Sequence, residues 1–310
     1  MNWSYSGYRQ FKKCNRQWYY SNIVAHQAAK EPFRKEVTIL SKLKTIDAWR
    51  GDIVDQVISQ TIINKIRKDE GLDEDNLLWR ADRVFEEQYD FALKKKYREE
   101  NLVLSEYEYY SALIDLDNDR GIDQETLDRA RMDIHQSLKN FLDKTDLIDY
   151  LRSASQWLTQ RDIQYPFSRF RAKGRPDLIV FFEDEPPHIF DWKVHTFATK
   201  TYQDQLLSYA FALNKANEIK PHKDFPSNLS AFTVLDYRLT EFQLLIDEVR
   251  DYTISEEDIN ETENEIASGL MAMYRVGANK KYDECSSEDF PTAHNPSSCE
   301  KCQFKSICKQ

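Results

Sequence analysis

Glycine is scarce here, at 7 of 310 residues, so no Gly-rich loop for cradling phosphates is present and each glycine is expected to mark a turn. Long apolar runs are missing too. No stretch nears the roughly eighteen consecutive apolar residues of a membrane span, although hydrophobic residues at 41% allow a sizeable core. The opening Met1-Asn2-Trp3-Ser4-Tyr5 lacks the basic-then-apolar pattern of a signal peptide. A cytoplasmic location without a membrane partner is therefore expected. A surplus of positive charge is also absent: the formal net charge is -10, which alone argues against a nucleic-acid partner.

The distribution of charge points the other way. Residues 1–50 carry ten basic side chains against three acidic ones, a local balance of +7 that includes Lys12, Lys13 and Arg16. A second basic stretch, Arg169-Phe170-Arg171-Ala172-Lys173-Gly174-Arg175, lies directly before the motif described below. The acidity is concentrated in 70–150 and 241–265. Such runs are commonly just solvated faces. Their placement beside the candidate chemistry makes Lys12, Lys13, Arg16, Arg171, Lys173 and Arg175 candidates for binding nucleic acid.

Hydrophobic periodicity gives the organisation. Residues 1–70 read as helices, with Ile53-Val54, Val57-Ile58 and Ile62-Ile63 at helical spacing after Gly51. The stretch 71–160 reads as a charged helical insertion, with Phe85, Tyr89, Leu93 and Tyr97 at four-residue steps and a turn at Asn118-Asp119-Arg120-Gly121. Its acidic surface suits a protein partner. From 161 to 275 the pattern predicts strands at Ile163–Phe170, Asp177–Phe182 and His188–Val194, then a helix over Tyr202–Asn217. Further strands are predicted at Ala231–Tyr237 and Phe242–Ile246. Ser255-Glu256-Glu257-Asp258 predicts a capping box opening a helix to about Tyr274. The remainder, 276–310, is irregular and rich in Cys, Ser and Pro.

The chemistry is concentrated in Gly174-Arg175-Pro176-Asp177, Asp191-Trp192-Lys193 and Gln205-x-x-x-Tyr209. Strand alternation puts Asp191 and Lys193 on one face, and a neighbouring strand can bring Asp177 beside Asp191. Two adjacent carboxylates are costly unless a cation or proton lies between them. Hard ions such as Mg2+ or Mn2+ prefer such oxygen ligands. A lysine at that ion can position the attacking water and stabilise charge on a phosphate. Gln205 and Tyr209 share one helical face that can line the same cleft. Taken singly, a D-x-K triplet on a strand edge is an ordinary ion pair; order, spacing and the strand–strand–helix context together carry the functional reading.

This set resembles the PD-(D/E)XK nuclease superfamily, and the Gln-x-x-x-Tyr helix resembles its RecB-like branch. The resemblance implies an α/β fold with a mixed sheet flanked by helices. It makes Asp177 and Asp191 metal ligands, Lys193 the catalytic lysine, and the Val194 carbonyl a further ligand, with Gln205 and Tyr209 completing the site. RecB-like members carry Gly-x-x-x-His on an N-terminal helix; here that segment is Gly51-Asp52-Ile53-Val54-Asp55. Asp55 can ligate a hard ion in place of the histidine, or can be a helix-surface carboxylate. Asp52 lies near the helix start, where the dipole alone favours an acid.

Five cysteines in a chain without a signal peptide do not read as a disulfide framework. Cys299-x-x-Cys302-x5-Cys308 closes the chain, and Cys14 stands far upstream. Four thiolates suit zinc and iron–sulfur centres alike. The split resembles RecB-like nucleases of the AddB type and CRISPR-associated adaptation nucleases, which implies a 4Fe–4S cluster on Cys14, Cys299, Cys302 and Cys308. Structural Zn2+ is the alternative, and Cys285 is left as a free thiol. Trp18, Tyr19, Tyr20 and Phe304 could stack on bases, though such residues more often pack a core. The expected function is a metal-dependent DNA nuclease, an exonuclease or end-processing enzyme on single-stranded or unwound DNA. The alternative is a catalytically weak or inactive DNA-binding scaffold within a larger complex.

Overall fold

Two sheets and twelve helices are laid out in the computed structural model, which describes residues 2–99, 109–194, 202–219 and 221–308. Helices α1 (Tyr5–Lys13), α2 (Asn15–Tyr19), α3 (Pro32–Leu40), α4 (Ile46–Val57) and α5 (Ile63–Arg67) come first. They follow a two-residue strand β1 (Asn2–Trp3). Next are α6 (Glu74–Leu93), α7 (Ile114–Asp117), α8 (Gln124–Leu142) and α9 (Thr145–Arg152). Part of the helical pattern expected for 71–160 falls outside the described residues. Leu93, read as an apolar contact position, is the last residue of α6 and is 53% exposed.

The strands follow. β2 (Gln156–Thr159), β5 (Leu178–Phe181), β6 (His188–Lys193), β7 (Arg238–Gln243) and β8 (Glu248–Tyr252) form one sheet in the order β2-β5-β6-β7-β8. Only β6 and β7 run parallel in it, joined across α10 (Gln203–Ile219). β3 (Ile163–Phe167) and β4 (Phe170–Gly174) make a hairpin, and β1 adds to β4 in parallel. The single strand expected over Ile163–Phe170 is thus two, because Ser168 turns the chain at φ 52°.

Two other expected strands also differ. Ala231–Tyr237 begins at the end of a 3-10 turn (Ser227–Ala231) and contains a second, Val234–Asp236, held by the side chain of Asp236 accepting from Thr233 N at 2.7 Å. Phe242–Ile246 is the end of β7 followed by a 3-10 turn, with Asp247 at φ 58° reversing the chain into β8. Short polar side chains that satisfy local backbone groups outweigh β propensity there. The capping box does close: Asp258 N donates to Ser255 Oγ and Ser255 N to Asp258 Oδ2, opening α11 (Glu256–Arg275).

Each face of the larger sheet has its own core. Leu178, Val180, Phe190, Trp192 and Phe242 pack against α4, α6 and α8, where Phe141 lies edge-on to Trp192. The other face, through Ile179, Phe181, Ile189 and Leu239, packs on α10. Helices from the stretch read as an insertion therefore share a core with the sheet. The aromatics Trp18, Tyr19, Tyr20 and Phe304 are all buried: Trp18 and Tyr19 stack on Phe290, and Tyr20 lies tilted against Tyr19 and Phe304. No helix among the described residues is long and apolar enough to cross a membrane.

Candidate active site

The pairing of β5 with β6 decides where the carboxylates meet. Leu178 stands opposite Phe190, so one step further along the antiparallel register Asp177 faces Asp191. Alternation then aims Asp177, Asp191 and Lys193 at the α10 face, while Phe190 and Trp192 point into the opposite core. Asp177 stays half-buried; Asp191 is 1% exposed. The Lys193 ammonium pairs with Asp191 Oδ2, and neither Asp191 oxygen accepts a well-aligned hydrogen bond among the described residues.

Burial pushes the Asp191 carboxyl up to about 7, opposed by Lys193 and reinforced by Asp177. Asp177 is raised by the same desolvation, with Lys193 opposing and Asp55 adding to it. For Lys193, burial pulls downward, but Asp191 and Asp177 outweigh it and the ammonium is held more firmly than usual. Its charge also lies 4.9 Å from the centre of the Tyr202 ring.

Asp55 reaches this site from α4. Its Oδ1 accepts from the Trp192 indole at 3.0 Å and from Gln160 Nε2 at 2.8 Å. Gln160 Nε2 also donates to Asp177 Oδ1 at 2.9 Å, and Trp192 N donates to Asp177 Oδ2 at 2.9 Å. Asp52, by contrast, turns to the surface and pairs with Lys44. The Val194 carbonyl accepts from Arg50 Nη2 at 3.2 Å. Gln205 donates to the Tyr209 hydroxyl, and burial, followed by Asp191 and Asp177, holds that phenol well above its ordinary value. Tyr209 sits tightly on β4, since a Cβ at Gly174 would lie 2.9 Å from Tyr209 Cδ1.

Sequence reasoning missed two members of this arrangement. Gln160 lies between β2 and β3 in a segment with no motif. Glu241 sits opposite Asp191 on β7 and is fully buried, yet nothing in its local sequence marks it. Its Oε2 accepts from the Tyr252 hydroxyl at 2.7 Å and Tyr202 N at 3.0 Å, while Gln243 and Arg250 meet Oε1.

A polar groove of about 1030 Å³ opens beside the site, lined by Arg9, Lys13, Lys173, Gly174, Arg175 and Tyr209 among others. Three of the basic candidates, Lys13, Lys173 and Arg175, thus come together, with Arg9 unanticipated. The others lie elsewhere. Lys12 pairs with Glu265 at 2.9 Å, Arg16 Nε donates to the Phe290 carbonyl at 3.1 Å, and Arg171 is exposed outside the groove.

Cys14, Cys299, Cys302 and Cys308 line one small cavity beneath Tyr20 and Phe304; Cys285 does not. Gln17, which lines this cavity, donates through Nε2 to Gln303 Oε1 at 3.1 Å, linking α2 to the C-terminal stretch. Burial raises the thiols of Cys302 and Cys308, and the neighbouring thiols add to this. Among the described residues no three His, Cys, Asp or Glu side chains are already drawn into a ligand cage.

No curated protein matches the chain. The crystal structure of SSO0001 is similar at 12% identity, covering 73% of this chain and 94% of that one with a TM-score of 0.27. The family model of the PD-(D/E)XK nuclease superfamily matches residues 2–309, nearly end to end. The chain belongs to the PD-(D/E)XK nuclease superfamily.

Proposed function

We propose that this protein is a divalent-metal-dependent DNA nuclease of the RecB-like branch, processing ends of single-stranded or unwound DNA. The observation that carries the reading is the shared face of Asp177, Asp191 and Lys193, set beside a basic groove and the Gln205–Tyr209 pair. The donors fit a hard divalent ion: all are oxygens, and beside its ion pair with Lys193 the buried Asp191 carboxylate accepts no well-aligned hydrogen bond among the described residues. Asp177 and Asp191 would hold Mg2+ or Mn2+, with Asp55 and the Val194 carbonyl as further ligands. When bound, the ion would polarise the scissile phosphate and acidify a water.

The remaining work falls to the chain. Lys193, kept protonated by its two carboxylates, supports a positioning and electrostatic role at the phosphate rather than that of a free base. Trp192 N and Gln160 fix the Asp177 carboxylate from two sides. Lys13, Lys173 and Arg175 neutralise the backbone of the incoming strand. We read 1–70 and 161–275 as the nuclease core, 71–160 as an elaboration with an acidic surface for a protein partner, and 276–310 as the cluster-binding tail. The cavity shared by Cys14, Cys299, Cys302 and Cys308 supports a 4Fe–4S cluster, or Zn2+, tying that tail to α2.

End-labelled single- and double-stranded DNA incubated with and without Mg2+ or Mn2+ tests the proposal. Metal-dependent degradation lost in Asp191→Ala supports it; no cleavage by folded protein sinks it. The second reading, a DNA-binding scaffold without catalysis, is favoured by one feature. Asp55 stands where the family pattern has histidine, and two N–H donors already occupy its Oδ1. DNA binding indifferent to metal and to Asp177→Asn would select it. Iron, sulfide and zinc content after anaerobic purification decides the occupant of the cysteine cavity.

A further inference from the structure

The chain crosses from the larger sheet to the hairpin at a single strained residue. Gln160 follows β2 with φ 49°, a left-handed backbone that glycine or asparagine adopts at far lower cost than glutamine. Its main chain is clamped on both sides: Gln160 N donates to the Asp177 carbonyl at 3.1 Å, and its own carbonyl accepts from Arg175 Nε at 3.0 Å. The side chain is then aimed inward, where one amide nitrogen reaches Asp55 Oδ1 at 2.8 Å and Asp177 Oδ1 at 2.9 Å. Those two carboxylates come from α4 and from the start of β5, elements that share no backbone pairing.

We propose that Gln160 is a positioning residue that sets the spacing and orientation of the Asp55 and Asp177 carboxylates for a divalent cation. A neutral amide suits this task. It supplies two hydrogen bonds without adding charge, tying down Oδ1 of each acid, while Trp192 N holds the other oxygen of Asp177. Persistent strain at such a point is a feature of sites where geometry matters more than local stability. Outer partners of this kind typically alter metal affinity by about 10–100-fold when removed. The inference rests on the metal-dependent reading above.

The test uses the full chain carrying Gln160→Gly or Gln160→Asn, both of which relieve the left-handed backbone and neither of which spans to both acids. Mn2+ binding is titrated by calorimetry or by the spin signal of the free ion, and thermal unfolding is recorded without metal. The expected result is a Tm equal to or above that of the wild type, with Mn2+ affinity about 10-fold weaker or worse in both variants. Unchanged affinity in both, whatever the Tm, overturns the positioning role while wild-type binding keeps the nuclease reading intact. A wild-type protein that binds no Mn2+ overturns both together.

Discussion

Asp191 on β6 and Glu241 on β7 stand side by side in register, both sealed from solvent, yet partnered in opposite ways. Asp191 pairs with the Lys193 ammonium and faces the Asp177 carboxyl, whereas Glu241 is surrounded by Tyr252, Tyr202 N, Gln243 and Arg250. Neither Asp191 oxygen accepts a well-aligned hydrogen bond among the described residues, while both oxygens of its neighbour do. Glu241 also anchors the residue whose ring faces Lys193.

Glu241→Ala is therefore expected to cost about 3–5 kcal/mol, because Arg250 and two hydroxyl and backbone donors lose their buried acceptor. Urea unfolding measures it. A loss under 1 kcal/mol would show that the network around Tyr202 contributes little.

Asp191→Asn and Lys193→Ala should each lower the metal-dependent cutting rate by about 100-fold or more. The far-ultraviolet circular dichroism spectrum should stay that of the wild type, since the surrounding strands keep their apolar contacts. Retained cutting in both variants would remove the catalytic assignment of this pair.

Groove and surface lysines should separate cleanly. Reversing Lys13 or Arg175 to Glu should weaken single-stranded DNA binding and reduce the salt dependence by about one unit of slope per cation lost. Lys12→Glu should leave that slope unchanged, since Lys12 lies outside the groove lining, paired with Glu265. Fluorescence anisotropy across a salt series gives all three values.

Gly174→Ala should destabilise by about 1–3 kcal/mol, as overpacking does elsewhere. The added methyl meets Tyr209 Cδ1 at 2.9 Å and Ala212 Cβ at 3.3 Å, both held by α10. Because Tyr209 moves with its helix, cutting should fall with stability.

Acid should weaken the fold through His188. Burial, reinforced by Arg238, pushes its imidazole down to about 3, while the unfolded chain keeps the ordinary 6.5. A depressed histidine means that the unfolded state takes up the proton first. The contribution is complete above pH 6.5 and is lost as pH falls toward about 3. The slope is at most about 1.4 kcal/mol per pH unit. In His188→Phe that dependence should be absent, although the bonds to Tyr150 and Thr240 are lost with it. Unfolding free energies across this range check the slope.

Much of the site was legible because its residues obey strand and helix periodicity. Alternation alone put Asp191 and Lys193 on one face, and the four-residue step put Gln205 and Tyr209 on another. The edges of the fold were less legible. β2 and β8 carry mixed polar patterns, and the turns at Ser168 and Asp247 depend on left-handed residues that are not glycine. Glu241 read as one more polar residue because its burial depends on Tyr252, Gln243 and Arg250 arriving from other positions in the sheet.

The sequence by itself determined the local facts: which residues share a face, where α11 is capped, which thiols recur at ligand spacing. Only the tertiary structure decided what meets what. Asp55 comes to Trp192 across 137 residues, and Gln160 comes to Asp55 across 105. These contacts follow from packing α4 against the sheet, a long-range hydrophobic outcome that no local periodicity encodes. The same packing settles which basic residues face the groove, since charge along the chain says nothing of the side on which a helix is buried.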